Sequence, residues 1–248
     1  MAEREFSRNQ LDKLGERLLA DPISIEDLNA LSRYRAWLRQ GTLRSLLVAR
    51  VYAQARRFAV SERPEKTLSS IRRKLRETAI RLGDMDDLVG CRITVPDRHT
   101  QNRARRDLGR AFGSIRWIDR NEKPSNGYRA VHGILRKSGT VLEIQIRTTL
   151  QDIWANLSES FADRFGDPSI KYGGGPSAIR AELDLLSAWI DDIDKYEASR
   201  TLERMTAPSK LADDSMDEEI LLEVSRELDK RMTMLRELHA MLRAASRG

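Results

Sequence analysis

One cysteine in 248 residues, Cys91, excludes an internal disulfide. It lies inside the apolar run Leu88 to Val95, where a thiol reads as a small buried hydrophobe. Three histidines and this cysteine, none at paired spacing, argue against a zinc site. A carboxylate-bound magnesium ion is compatible with the same composition. No apolar run approaches the length that crosses a bilayer, and the opening MAEREFSRNQ has no apolar signal core. The expectation is a cytoplasmic protein without a membrane partner. With 40% hydrophobic and 33% charged residues, the composition is that of a soluble, helix-rich chain long enough to bury a core.

The net charge of +6 is unevenly spread. Between Arg33 and Arg73 stand eleven Arg or Lys against two acids, Glu62 and Glu65. Arg103, Arg105, Arg106 and Arg110 form a second basic group, and the last third is much more acidic. Such asymmetry fits a polyanionic partner, whether nucleotide phosphate, RNA or an acidic protein. It equally fits a solvated, arginine-rich helix surface.

Residues 8–20 have helical spacing, with Leu11, Leu14 and Leu18 on one side and a stop before Pro22. Ser24 with Asp27 resembles an N-cap box for a helix reaching Gly41, and a further helix runs from Leu43 to Phe58. These helices are expected to pack on a sheet, or else to form a separate arm. Ser69 or Ser70 caps a helix with Arg72, Arg73 and Lys74 in its first turn, where cations oppose the helix dipole unless a phosphate sits there. Asp84, Asp86 and Asp87 precede the buried strand Leu88 to Val95, and a helix over 99–112 leads to a short strand, Ile115 to Ile118.

Two further strands hold the most informative residues. Leu142, Ile144 and Ile146 alternate with Glu143, Gln145 and Arg147, so an acid, an amide and a base share one strand face. That row is suited to line a polar cleft. Tyr128 and His132 also share a face, behind a turn at Gly127. Trp154, Leu157 and Phe161 have core spacing on the next helix. Lys171 to Pro176, with three consecutive glycines, matches no phosphate-binding pattern and reads as a linker or lid. Two amphipathic helices follow, one from Ile179 and one over Leu221 to Leu242, around a polar linker at 205–217. The last helix suits docking on the body, self-association or a partner protein. The order of elements is that of an α+β fold with a mixed sheet of about five strands and helices packed on it.

In order along the chain, Lys66-xxx-Ser70-Ile71-xx-Lys74, Asp87-Leu88-xx-Cys91-Arg92-Ile93, Lys123-Pro124-xx-Gly127-Tyr128-xxx-His132, Glu143 to Thr148 and Trp154-Ala155 resemble the synthetase domain of the RelA/SpoT family, as in the small alarmone synthetases. The resemblance covers roughly residues 60–165. It implies domains at 1–59 (basic helices), 60–200 (pyrophosphokinase) and 201–248 (linker and amphipathic helix). It also implies transfer of the β,γ-pyrophosphate of ATP to a ribose 3′-hydroxyl. By the family pattern Asp87 and Glu143 hold magnesium. Lys66, Ser70 and Lys74 bind the ATP phosphates, and Arg92 stacks on adenine. Tyr128 stacks on the acceptor base with Lys123 and His132 nearby, and Gln145 and Arg147 complete the acceptor side. Glu143 also suits the role of proton acceptor. Phosphoryl-type transfer needs positioning and charge neutralisation above all, which carboxylates, a metal and cations supply.

The chain departs from the family pattern in places. Arg63 stands one place further from Lys66 than usual, an Asp-Tyr pair before Lys123 is missing, and Glu159 and Asp163-Arg164 replace a histidine and Tyr-Lys. Most of these changes fall on the acceptor side. With the basic helices, they favour the 3′-terminal adenosine of tRNA as acceptor, in a translation-inhibiting toxin neutralised by an antitoxin. The alternatives are a synthetase of ppGpp or pppGpp from GDP or GTP, and a non-catalytic RNA- or partner-binding protein.

Overall fold

The computed structural model describes residues 6–62 and 66–206. The C-terminal segment 221–242, expected to dock on the body, self-associate or bind a partner protein, lies outside the described residues, as does Arg63. Among the described residues no helix is long and apolar enough to cross a membrane.

The elements run α1 (Arg8–Arg17), α2 (Ile25–Ala55), β1 (Ala59–Glu62), α3 (Leu68–Glu77), β2 (Gly90–Val95), α4 (Arg98–Phe112), β3 (Arg116–Asp119), β4 (Val131–Lys137), β5 (Thr140–Thr148), α5 (Thr149–Phe165) and α6 (Ser177–Thr206). They build an α+β fold on one five-stranded sheet of order β1-β2-β5-β4-β3. Its central pair, β2 and β5, is parallel, and the other pairs are antiparallel.

The register sorts the chemistry. Cys91 lies beside Ile144, and Ile144 beside Gly133, so Cys91, Ile93, Val131, Leu142, Ile144 and Ile146 share one face. The C-terminal half of α2 (Leu46, Ala49, Ala53) and α4 (Ala104, Leu108) cover that face in one apolar cluster. The opposite face carries Arg92, Gln145 and His132 side by side, with Glu143 beside Ile134. Here α1, α3 and the N-terminal half of α2 form a second cluster around Ile134 and Val141. A third cluster joins α5 to α6 through Trp154, Phe161, Leu183 and Ile190.

Helix α2 is thus continuous where the sequence suggested a break at Gly41. A Cβ at that position would collide with the Thr140 methyl group. Gly41 lets the helix pass close to the β4–β5 turn, so one helix serves both faces of the sheet. The cap of α3 also differs from expectation. Thr67, not Ser69 or Ser70, accepts the Ser70 amide at 3.2 Å. The helix therefore starts earlier, and Lys74 and Arg76 fall in its last turn, where cations favour the dipole. The charge pattern of α3 therefore calls for no phosphate at its N-terminus.

A buried polar network pins α6 to the body. Gln101 donates to Gln151 and to the Ile146 carbonyl, and Gln151 donates to Asn121 and Asp194. Thr148 adds a 2.9 Å bond to Asp194. Burial pushes the Asp194 carboxyl up to about 7, against the lowering effect of Thr148, Arg98 and Gln151.

Candidate active site

The polar face of the sheet opens into a cleft of about 340 Å³, walled by α3, the loop entering β2, α5 and the short turn Pro168–Tyr172. Lys66, Arg73, Lys74, Arg147 and Lys171 line it, against the carboxylates of Glu77, Asp87 and Glu159. Five cations against three acids make it a site for an anionic ligand.

Asp87 is held from two sides. Lys66 Nζ lies 2.8 Å from one carboxylate oxygen and Lys74 Nζ 3.0 Å from the other. Burial alone would raise its pKa, but Lys66, then Lys74, outweigh that and hold the carboxyl at about 2. The segment before β2 and the apolar anchoring of α3 through Ile71 and Leu75 bring these three residues together. Arg35 steadies Lys66 by donating to its carbonyl.

Across the cleft runs a chain of hydrogen bonds. Tyr128 Oη lies 3.0 Å from His132 Nε2, and His132 Nδ1 lies 2.7 Å from Glu143 Oε1. Gln145 Nε2 donates to Glu143 Oε2 at 3.1 Å, and Arg147 donates to Tyr128 Oη at 3.2 Å. One set of donors satisfies all of these: the tyrosine accepts from Arg147 and donates to His132, whose Nδ1–H donates to the carboxylate. The backbone makes the chain feasible. Asn126 (φ 53°) and Gly127 (φ 81°) turn left-handed, and Ser125 and Tyr128 exchange backbone hydrogen bonds. β4 starts only at Val131, so Tyr128 stands on a turn rather than in the strand and folds back over His132. A Cβ at Gly127 would meet the Trp154 ring at 2.8 Å, so the turn is also seated on α5.

Arg92 and Arg147 share Asp152, at 3.3 and 2.9 Å. Each has a buried Nε without a hydrogen-bond partner. Burial, then the neighbouring Arg147, lowers the Arg92 pKa. Arg147 goes the other way: burial is outweighed by Tyr128 and Asp152. Two guanidinium groups on one carboxylate leave positive charge in surplus beside the cleft.

Of the residues expected from sequence, Lys66, Lys74, Asp87, Tyr128, His132, Gln145 and Arg147 line the cleft. Glu143 does not; it is 5% exposed and lies beneath His132. Arg92 and Ser70 are half-buried outside the lining, and Lys123 is exposed on its loop, apart from it. Sequence reasoning missed Arg73, Lys171 and Tyr172 as cleft residues. The glycine run beside Tyr172 was the available signal.

No group of three or more His, Cys, Asp or Glu among the described residues is arranged for a metal ion. Magnesium commonly binds through one or two carboxylates together with substrate phosphates. Asp87, ionised and open to the cleft, fits that role once its lysines turn to a phosphate. Glu143 has both oxygens engaged by His132 and Gln145.

Comparison with known proteins agrees with this architecture. Residues 63–162 match the pattern described as the region found in RelA / SpoT proteins. Uncharacterized proteins of Mycobacterium tuberculosis and Mycobacterium bovis are 33% identical over 130 residues, 51% of this chain and 47% of theirs. The chain thus matches about half the length of these curated relatives. The small alarmone synthetase 1 of Bacillus subtilis superimposes with a TM-score of 0.58 at 20% identity, covering 72% of this chain and 100% of that one. The same enzyme bound to its product pppGpp gives 0.57 at 20% identity, over 71% and 98% of the two chains. At such identities the likeness is one of fold. Residues 63–162 thus carry the pattern found in RelA / SpoT proteins, on a fold like that of the small alarmone synthetase 1.

Proposed function

We propose that the chain is an ATP-dependent pyrophosphokinase that transfers the β,γ-pyrophosphate of ATP to the ribose 3′-hydroxyl of GDP or GTP. One observation carries this reading: Asp87, clamped by Lys66 and Lys74, shares a cleft with the Tyr128–His132–Glu143 chain. The first set suits the triphosphate. Its lysines transfer from Asp87 to phosphate oxygens when ATP enters, which frees the carboxylate for a divalent cation. Magnesium, when bound, neutralises triphosphate charge there. The second set suits the acceptor. The 3′ oxygen forms a bond to the β-phosphorus as the bond from that phosphorus to the α,β-bridging oxygen breaks. AMP leaves with the electron pair, and the hydroxyl proton passes to the Tyr128–His132–Glu143 chain. The buried guanidinium pair of Arg92 and Arg147 favours the charge that develops. The product pppGpp named for the Bacillus subtilis enzyme is of the kind this reaction forms.

A tRNA 3′ end is the second reading, favoured by Glu159, a cleft carboxylate where the family commonly has a histidine. The basic helices argue less for it than the sequence suggested. Arg44 and Arg50 on α2 and Arg103, Arg106 and Arg110 on α4 belong to segments packed on the sheet face opposite the cleft. An antitoxin belongs to this second reading alone. Incubation with ATP labelled in the β,γ-phosphates, plus GDP, GTP or deacylated tRNA, tests both. Label in guanosine nucleotide supports the first reading and label at the tRNA 3′ end the second. Label in neither overturns the enzyme assignment.

A further inference from the structure

Helix α2 carries more apolar surface than the sheet can use. Over its C-terminal half, Leu46, Ala49 and Ala53 are buried against the sheet. On the outer side Leu43, Leu47, Val48 and Val51 are 63%, 57%, 42% and 55% exposed. Leu43, Leu47 and Val51 recur every four residues, so they follow one another along a single stripe. A helix that is apolar on both sides is ordinarily covered on both. Among the described residues, four of the nine exposed large hydrophobics fall within this short stretch, which makes it a patch and not scatter.

The patch has a charge to match. Residues 39–57 hold five arginines and no acid, and Arg44 and Arg50 stand exposed on the same stretch of helix. Further along the chain, residues 213–229 hold eight acids and one base, Arg226. Within them Leu221, Val224 and Leu228 are spaced by three and then four, the pattern of an apolar helical seam. That seam and the α2 stripe each cover about two helical turns.

Position permits the match. The Arg98–Asp191 pair at 2.5 Å ties α6 to α4, and Tyr52 on α2 donates to Asp107 on α4 at 3.2 Å. The 14 residues between Thr206 and Leu221 extend to roughly 45 Å, several helix diameters. A tether of that length holds the acidic segment at high local concentration around its own α2.

We propose that residues 213–229 dock on the outer stripe of α2 within the same chain. Leu221, Val224 and Leu228 then cover Leu43, Leu47 and Val51, and the surrounding acids face Arg44 and Arg50. One helix thereby grips the sheet with one side and the acidic segment with the other. The docking uses no residue of the cleft.

Hydrogen exchange on the full chain, read by mass spectrometry, tests this, with light scattering to fix the oligomeric state. In the unaltered protein, amides over 221–229 are expected to exchange at least about tenfold more slowly than in the free peptide of that sequence. Leu47→Asp combined with Val51→Asp, both at exposed positions, should remove that protection and leave β5 unchanged. Leu228→Asp should remove it from the other side and speed exchange over 43–51, because coupling between two surfaces is reciprocal. Exchange over 221–229 as fast as in the free peptide would overturn the proposal. So would protection that survives the α2 substitutions, which would seat the segment elsewhere. Protection that fades on dilution, with a drop in mass, would assign the stripe to a second copy and overturn docking within one chain.

Discussion

On β5, Leu142, Ile144 and Ile146 are fully buried and Glu143, Gln145 and Arg147 nearly so, yet the two rows hold for different reasons. The apolar row packs against α2 and α4 and gains about 25 cal/mol for each Å² removed from water. The polar row gains nothing by drying and is tolerated because its donors and acceptors meet one another. One strand thus carries a stabilising face and a functional face at equal depth. Depth of burial alone does not separate structure from function. What each row meets does: the apolar row meets helices α2 and α4, and the polar row meets His132, Tyr128 and Asp152 beside the cleft.

The sharpest break between the faces should come at Asp87. Asp87→Asn is expected to lower transfer about 10³-fold, with the fold kept and the thermal midpoint lowered because Lys66 and Lys74 lose their shared charge, as read by AMP release and calorimetry. Glu143→Gln keeps an acceptor for His132 but removes the charge, so kcat should fall about 10²-fold, again with the fold intact. Full activity in Glu143→Gln would end its place in the proton path. Ile144→Ala, one residue along, should do the reverse: a loss of about 2–5 kcal/mol in denaturant unfolding, with cleft chemistry kept in the folded fraction. If both neighbours cost activity and stability alike, the division of labour between the faces is wrong.

Asp194 gives a weaker, pH-dependent contrast. Its folded pKa of about 7 lies above the ordinary carboxyl value of 3.8, so the folded state holds a proton that the unfolded chain has lost. Stability from this group is complete below about pH 4 and declines as pH rises to about 7, by at most about 1.4 kcal/mol per pH unit. Asp194→Asn should flatten that part of the stability profile; an unchanged slope would move the titration elsewhere. The smallest effect is expected at Gly41. Gly41→Ala should destabilise by about 1–2 kcal/mol despite the better helix propensity of alanine, because its Cβ strikes Thr140. Thr140→Ser, which removes that methyl group and keeps the hydroxyl, should restore most of the loss in a double-mutant cycle.

The period-two alternation of β5 was legible because a strand sends neighbouring side chains to opposite faces whatever surrounds it. The same local rule joined Tyr128 to His132, even though Tyr128 stands on a turn. The clamp on Asp87 was legible only in part. Lys66, Lys74 and Asp87 stood out as residues, but nothing local says that both lysines reach one carboxylate. Nor could it reveal that Glu143 lies under His132, that Thr67 outcompetes two serines as a cap, or that Gly41 is a contact rather than a stop.

By itself, the sequence determined the α+β class, the order of β2 to β5 along the chain though not the edge strand β1, the split of β5 into apolar and polar rows, and Lys66, Lys74, Asp87, Tyr128, His132, Gln145 and Arg147 among the cleft residues. These follow from periodicity and turn chemistry, which act over a few residues. Tertiary structure alone decided that α2 serves both sheet faces, that much of the basic surface lies away from the cleft, and that Tyr172 meets Arg73. Each depends on how distant segments pack, and packing is fixed by the shape of the whole rather than by any local pattern.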